Sequence, residues 1–232
     1  MSTINEPQID IISLGTLGRN LLWNEQAETR TAHATTTLIR VGEKALLVDP
    51  ALPPQVMQAR LGERCGLKPD EIDMVFLTTL LPHHRGGIGL FEHALWLADE
   101  RELAAVAGHV KALLERGAAD VQEALTAELA LLARMKPAED KPLPGVDLFP
   151  LPGVTAGTCG LLVSERSRTV LVAGPAVPTR EHFLAGQVLP DIASVSGAQE
   201  ALGEVYEIAD VVVPGYDNYF LNPRGMSMFN DA

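Results

Sequence analysis

Apolar positions along the chain fall into short runs grouped as strands, then helices, twice over. Ile9 to Leu17 reads as a first strand. Thr35 to Val41 and Lys44 to Val48 run apolar or alternate on either side of Gly42-Glu43, a hairpin signal. A helix is expected from Pro53-Pro54 to Gly66, with proline at its start and glycine at its end. A short buried strand, Met74 to Leu77, leads into "FLTTLLPHHRGG". Leu103, Val106, Val110, Leu113 and Leu114 then recur on one helical face, and Val121, Leu125, Leu129 and Leu132 do so again after Gly117. Pro137 to Gly145 is a proline-rich, charged loop. Three strands follow at Asp147–Leu151, Cys159–Glu165 and Thr169–Ala173. Helices near Arg180–Ala185 and over Ser196–Ala209 and a last strand at Asp210–Val213 complete the pattern. The order predicts an α+β domain over residues 1–232, two packed sheets with helices outside, and a helical insertion over about 101–136.

Charge narrows the partners. Thirty acidic residues against eighteen basic give a formal net charge of −12, which repels phosphate backbones and anionic lipid, so neither nucleic acid nor a membrane surface is an expected partner. The opening MSTINEPQIDI lacks the basic-then-apolar pattern of a signal peptide. The most apolar stretch, ALTAELALLARM, is too short to span a bilayer. A cytoplasmic protein is expected. Two cysteines cannot build a disulfide framework: Cys65 falls on a helix stripe and Cys159 opens a strand, so both read as core thiols. His93, His109 and His182 read as surface or helix-end histidines.

The chemistry concentrates in the segment after the Met74–Leu77 strand. Adjacent His83 and His84 precede the pair Gly86-Gly87, with His84 expected to start a helix running to Leu90. The glycines allow close backbone approach where that helix packs. No Gly-x-Ser-x-Gly elbow, phosphate-binding loop or dinucleotide fingerprint is present.

Five phrases together resemble the metallo-β-lactamase superfamily, in the family's order: "TTTLIRVGEKALLVDPAL", "DEIDMVFLTTLLPHHRGGIGLF", "LFPLPGVTAGTCGLLV", "TVLVAGPAVPTREHF" and "ADVVVPGYDNYF". The resemblance covers about residues 35 to 220 and implies an αββα sandwich with one or two metal ions, usually zinc, bound in loops at one edge. Such metals lower the pKa of a bound water to supply hydroxide for hydrolysis.

At the positions where the family places ligands, this chain carries other residues. The two histidines of the His-x-His loop correspond to Thr79 and Leu81, and the aspartate that follows to His83, while its neighbouring histidine is kept as His84. The next histidine corresponds to Val154, the bridging aspartate to Pro175 and the last histidine to Tyr216. Only His84 of the seven keeps its family residue. Leu81, Val154 and Pro175 have no side-chain donor for zinc, and threonine and a protonated phenol are poor ones. The resemblance therefore implies a retained fold, no metal cofactor and a cleft formed by Thr79, Leu81, His83, His84, Val154, Pro175, Tyr216 and Asp217.

That reading makes the chain a non-catalytic ligand-binding or interaction protein, with a homo-oligomer surface as another use. The cleft is expected to be partly dry, with His83, His84, Tyr216 and Asp217 as a polar rim. Arg85 and the helix start after His84 would add positive potential for a small anionic ligand. The alternative is a divergent hydrolase in which His83 and His84, helped by His33, Asp49 or Asp217, hold a single zinc ion. Asp49 is otherwise expected to prop the neighbouring loops by hydrogen bonds, and Asp217-Asn218 to form a turn.

Overall fold

The computed structural model describes residues 6–117, 121–190 and 192–225. Residues 1–5 of the segment read for a targeting signal, and 118–120 within the expected insertion, lie outside them.

In chain order the elements are β1 (Gln8–Ser13), β2 (Thr36–Val41), β3 (Lys44–Val48), α1 (Pro54–Cys65), β4 (Met74–Leu77), β5 (Leu95–Ala98), α2 (Glu100–Glu115), α3 (Gln122–Leu132), β6 (Lys136–Pro137), β7 (Val146–Pro150), β8 (Cys159–Ser164), β9 (Thr169–Gly174), α4 (Arg180–Ala185), α5 (Val195–Ile208), β10 (Val211–Pro214) and β11 (Phe220–Leu221). Two sheets form, in the orders β1-β2-β3-β4-β5-β6 and β11-β10-β9-β8-β7. Both are mixed: β3, β4 and β5 run parallel, as do β9 and β10, while the hairpin pairs are antiparallel.

Three hydrophobic layers explain the stacking. Leu46, Val48 and Phe76 of the first sheet meet Leu161, Val163 and Val172 of the second between the sheets. Leu47, Val75 and Trp96 point the other way, onto Met57 and Leu61 of α1 and Leu132 of α3. Leu171, Ala173 and Val212 face Phe183 of α4 and Ala201, Leu202 and Val205 of α5. Central strands are covered on both faces, so their sequences are continuously apolar, not alternating. Each fully buried Leu, Val or Phe contributes about 1.5–3 kcal/mol. The result is helix, sheet, sheet, helix, the expected sandwich. Leu103, Val106, Leu129 and Leu131 of the 101–136 region pack onto the outer layer of the first sheet.

Several local expectations change. The first strand stops at Ser13 instead of Leu17; Thr16 forms only an isolated bridge with His33. Strands β5, β6 and β11 carry no periodic signal of their own and are held by their neighbours. No helix begins at His84. Pro82–His84 and Ile88–Phe91 are separate 3₁₀ turns, with Arg85–Gly87 between them. The glycines explain the break: a Cβ on Gly86 would lie 2.5 Å from the Ala51 carbonyl oxygen, and one on Gly87 2.5 Å from that of Leu52. That contact is backbone against the loop after β3. The parallel strands β3, β4, β9 and β10 end on one side, so the loops after them converge, the usual position of a site in sheets of this kind.

Candidate functional site

Asp49 sits just past β3, 1% exposed and left-handed at φ 49°. Its Oδ1 accepts the Thr78 N–H at 2.9 Å, and its Oδ2 accepts the Thr78 hydroxyl at 2.5 Å. The same Oδ2 lies 2.9 Å from Nδ1 of the fully buried His84. The other face of His84 meets Tyr216, whose Oη is 3.0 Å from His84 Nε2 and 2.8 Å from His83 Nε2. One hydrogen placement satisfies all three contacts. His84 Nδ1–H donates to Asp49, the phenol O–H donates to His84 Nε2, and His83 Nε2–H donates to the phenol oxygen. Burial, and then the charge of Asp49, hold the Tyr216 hydroxyl well above its ordinary pKa, so it serves as a neutral phenol.

A second group lies beside the first, joined through Thr78-Thr79. Glu102, the third residue of α2, is 1% exposed and accepts four hydrogen bonds. Its Oε1 takes the Thr79 hydroxyl at 2.8 Å and the Leu80 N–H at 2.9 Å. Its Oε2 takes the Thr155 hydroxyl at 2.7 Å and the Gly157 N–H at 3.2 Å. One carboxyl thus ties the loop after β4 to the loop before β8. The two loops also meet where Cys159 N–H donates to the Thr78 carbonyl at 2.9 Å.

The positions named from sequence are distributed over these two groups. His83, His84 and Tyr216 surround one centre. Thr79 belongs to the other, which reaches Thr155 beside the buried Val154. Pro175 follows Gly174, whose φ is +54° and where a Cβ would fall 2.4 Å from the Thr78 hydroxyl oxygen. The Pro175 nitrogen lies 2.9 Å from the position of a Cβ on Gly215, the residue before Tyr216. Leu81 is half-buried at the start of the Pro82 turn. Asp217 Oδ1 accepts the Asn218 N–H at 2.7 Å within its own turn, and its Oδ2 reaches the start of α4, accepting the Arg180 N–H at 3.2 Å.

Four expectations are corrected. His84 and Tyr216 are buried, 0% and 5% exposed, and do not form a rim. Arg85 adds no free positive potential: Nε donates to the Leu80 carbonyl at 2.8 Å and its guanidinium pairs with Glu128 at 2.6 Å. The helix start invoked beside it is absent. His182 is buried within α4, its Nδ1 2.9 Å from the Thr179 hydroxyl, because that face packs inward. Cys159, by contrast, is the core thiol expected of it, its pKa pushed up to about 12 by burial and then by Asp99.

Glu102 lies outside the positions that the family resemblance marks. Its signal was its position: it precedes Val106 and Val110 at four-residue steps, so a carboxylate occupies the apolar stripe of α2.

The residues at the family's ligand positions do not fit a zinc site. Both ring nitrogens of His84 are engaged, one by Asp49 and one by Tyr216, and the same phenol engages His83 Nε2. A stable site needs three or four donor groups directed at one point. Here a phenol oxygen occupies the point to which both histidines direct Nε2. Among the described residues, no group of three or more His, Cys, Asp or Glu is arranged to hold a metal ion.

His83 gives the site a pH signature. Burial, reinforced by His84, lowers its pKa from 6.5 to about 4, against the opposing pull of Asp49. Between those values the unfolded chain binds more protons than the folded one, so stability rises with pH and is lost as pH falls from 6.5 towards 4. One such group contributes a slope of at most about 1.4 kcal/mol per pH unit, less here because solvent reaches His83. Urea unfolding of wild type and His83→Gln from pH 7 to 4 should show a shallower dependence in the variant. Parallel profiles would remove His83 as the origin.

A fold of two packed mixed sheets with helices on both outer faces, and loops converging at one edge, defines the class. The sequence profile of the metallo-β-lactamase superfamily matches residues 30–215, and the chain belongs to that superfamily. Solved structures agree. A Thermotoga maritima protein provisionally classed as a metallo-β-lactamase superposes with a TM-score of 0.68 at 17% identity, covering 93% of this chain and 99% of its own. AidC, a dizinc quorum-quenching lactonase, gives 0.65 at 14% identity, covering 92% and 85%. A mutant form of B. thuringiensis AiiA, with N-decanoyl-L-homoserine bound at its active site, gives 0.62 at 18% identity, covering 93% and 94%. No curated protein matches the chain at a significant level. At these identities the structural likeness carries the fold alone.

Proposed function

We propose that this chain is a metallo-β-lactamase-fold protein that binds a small ligand or partner and does not carry out metal-assisted hydrolysis. The observation that carries the reading is the Tyr216 hydroxyl, which joins His83 and His84 from the position of a family metal ligand. Glu102 supports it from the other half of the site, where hydrogen bonds to Thr79 and Thr155 link two loops that carry metal ligands in the family. The dizinc chemistry of AidC is thus not carried over to this chain. A single-zinc hydrolase built on His83 and His84 would require the phenol to leave both imidazoles. A cytoplasmic setting is part of the proposal, and the buried Cys159 thiol is compatible with it. Among the described residues, no helix is long and apolar enough to cross a membrane.

Elemental analysis of protein purified without chelator tests this. It should carry far less than one zinc, iron or manganese per chain, and its melting temperature should be unchanged by EDTA, because no metal binding energy is coupled to folding. Near-stoichiometric metal retained through dialysis, or a clear loss of stability with EDTA, would sink the reading.

A further inference from the structure

A cleft of about 680 Å³ opens beside Tyr216, between the segment after β1, the start of α4 and the turn leading to β11. Its size lies within the range of small-molecule sites, roughly 300–1,000 Å³. Three of its large apolar side chains are exposed: Trp23 at 56%, Tyr219 at 55% and Leu184 at 55%. Exposed aromatic surface around a concavity is an available contact for an apolar ligand body.

The polar groups of the cleft are unequally engaged. Glu181 accepts the Trp23 indole N–H at 2.6 Å, and both Asp217 oxygens accept backbone N–H groups. Arg30 lies 5.3 Å from the centre of the Trp23 ring and pairs with Glu25, so together with Glu181 it fixes the indole. Among the described residues, the Arg180 guanidinium has no ion pair or side-chain hydrogen bond, and it lines the same cleft. A guanidinium fork next to aromatic walls matches a carboxylate joined to an apolar body. A doubly charged phosphate ester is less suitable, because Glu181 and Asp217 also line the cleft and the chain carries a net −12.

We propose that this cleft binds a small monocarboxylic acid, its carboxylate on Arg180 and its apolar body against Trp23, Leu184 and Tyr219. The inference rests on the binding reading above and specifies its ligand class. Phenylacetate is a suitable probe, with 2-phenylethanol and phenyl phosphate as its uncharged and dianionic counterparts. Calorimetric titration of wild type should give a dissociation constant for phenylacetate on the order of 1 mM or tighter, well within what a ligand of this size can reach. The alcohol and the phosphate should each bind at least about tenfold more weakly, and Arg180→Ala should weaken phenylacetate by a similar factor. The Trp23 indole should report the same event by fluorescence, a change absent in Trp23→Phe. Equal binding of acid and alcohol, an unaffected Arg180→Ala, or no phenylacetate binding at all would overturn the proposal. Repeating the titration after EDTA dialysis separates the two readings. Binding that survives EDTA supports both. Binding abolished by EDTA would show a metal in the cleft and overturn the metal-free reading. Failure with and without EDTA would remove only the ligand assignment.

Discussion

Replacing Glu102 by alanine should destabilise the protein by about 3–5 kcal/mol, a large part of the roughly 5–15 kcal/mol that holds a domain folded. The carboxyl is buried and accepts from Thr79, Leu80, Thr155 and Gly157, and alanine leaves all four donors without that acceptor. The two hydroxyls can turn towards other acceptors; Thr155 already has the Thr158 hydroxyl at 2.6 Å. The two N–H groups cannot turn, and each buried, unpaired donor costs about 1–3 kcal/mol. Glu102→Gln should cost about half as much: one oxygen still accepts, but an amide N–H₂ is then set against donors. The urea midpoint of each variant provides the measurement, with hydrogen exchange at Leu80 and Gly157 locating the damage. By contrast, the exposed Arg60–Glu63 pair should be worth almost nothing. A Glu102→Ala midpoint within error of wild type would show that the loops do not depend on this strut.

Asp49→Ala should lose a comparable amount, about 3–5 kcal/mol, by two separate routes. Thr78 N–H, the Thr78 hydroxyl and His84 lose a shared acceptor in a site closed to solvent. Alanine must also hold φ near 49°, a left-handed conformation costing about 1–2 kcal/mol for a residue with a Cβ and no local side-chain bond. Asp49→Asn should be milder, since asparagine tolerates that conformation and keeps one acceptor oxygen. Because Asp49 reaches Tyr216 through His84, a double-mutant cycle of Asp49→Ala with Tyr216→Phe should show coupling above about 0.5 kcal/mol. Additive losses would mean that the Asp49–His84–Tyr216 chain is not one unit.

On the proposed metal-free reading, these struts do the holding that a metal ion does in enzymes of the family. In a metal enzyme of this fold, an ion holds together loops contributed by several strands. Here Glu102 joins the loop after β4 to the loop before β8, while Tyr216 joins the loop after β10 to the His83-His84 turn. Both links use neutral or acceptor-only groups that need no external partner.

What the sequence determined on its own was local periodicity and punctuation. The β2–β3 hairpin follows from apolar strands around Gly42-Glu43, and α1 from Pro54 at its start and Gly66, at φ 72°, at its end. The stripes of α2 and α3 and the order of the five phrases are equally legible, because each is a matter of residue type at a fixed spacing. The tertiary structure decided the rest. Four residues at Leu95–Ala98 are too few to display a period, and they form a strand because β4 lies beside them. His84 does not start a helix because Gly86 and Gly87 are pressed against the backbone of Ala51 and Leu52, a contact about 35 residues away in the chain that no local propensity encodes. The place of Glu102 on the apolar stripe of α2 is visible in sequence, but only the approach of two distant loops supplies its four donors. Tyr216 likewise reads as a lost ligand in sequence, and becomes the link between two histidines only where β10 brings it to them. Side-chain pattern reports which face of an element turns inward; which distant polar group waits there is settled by packing.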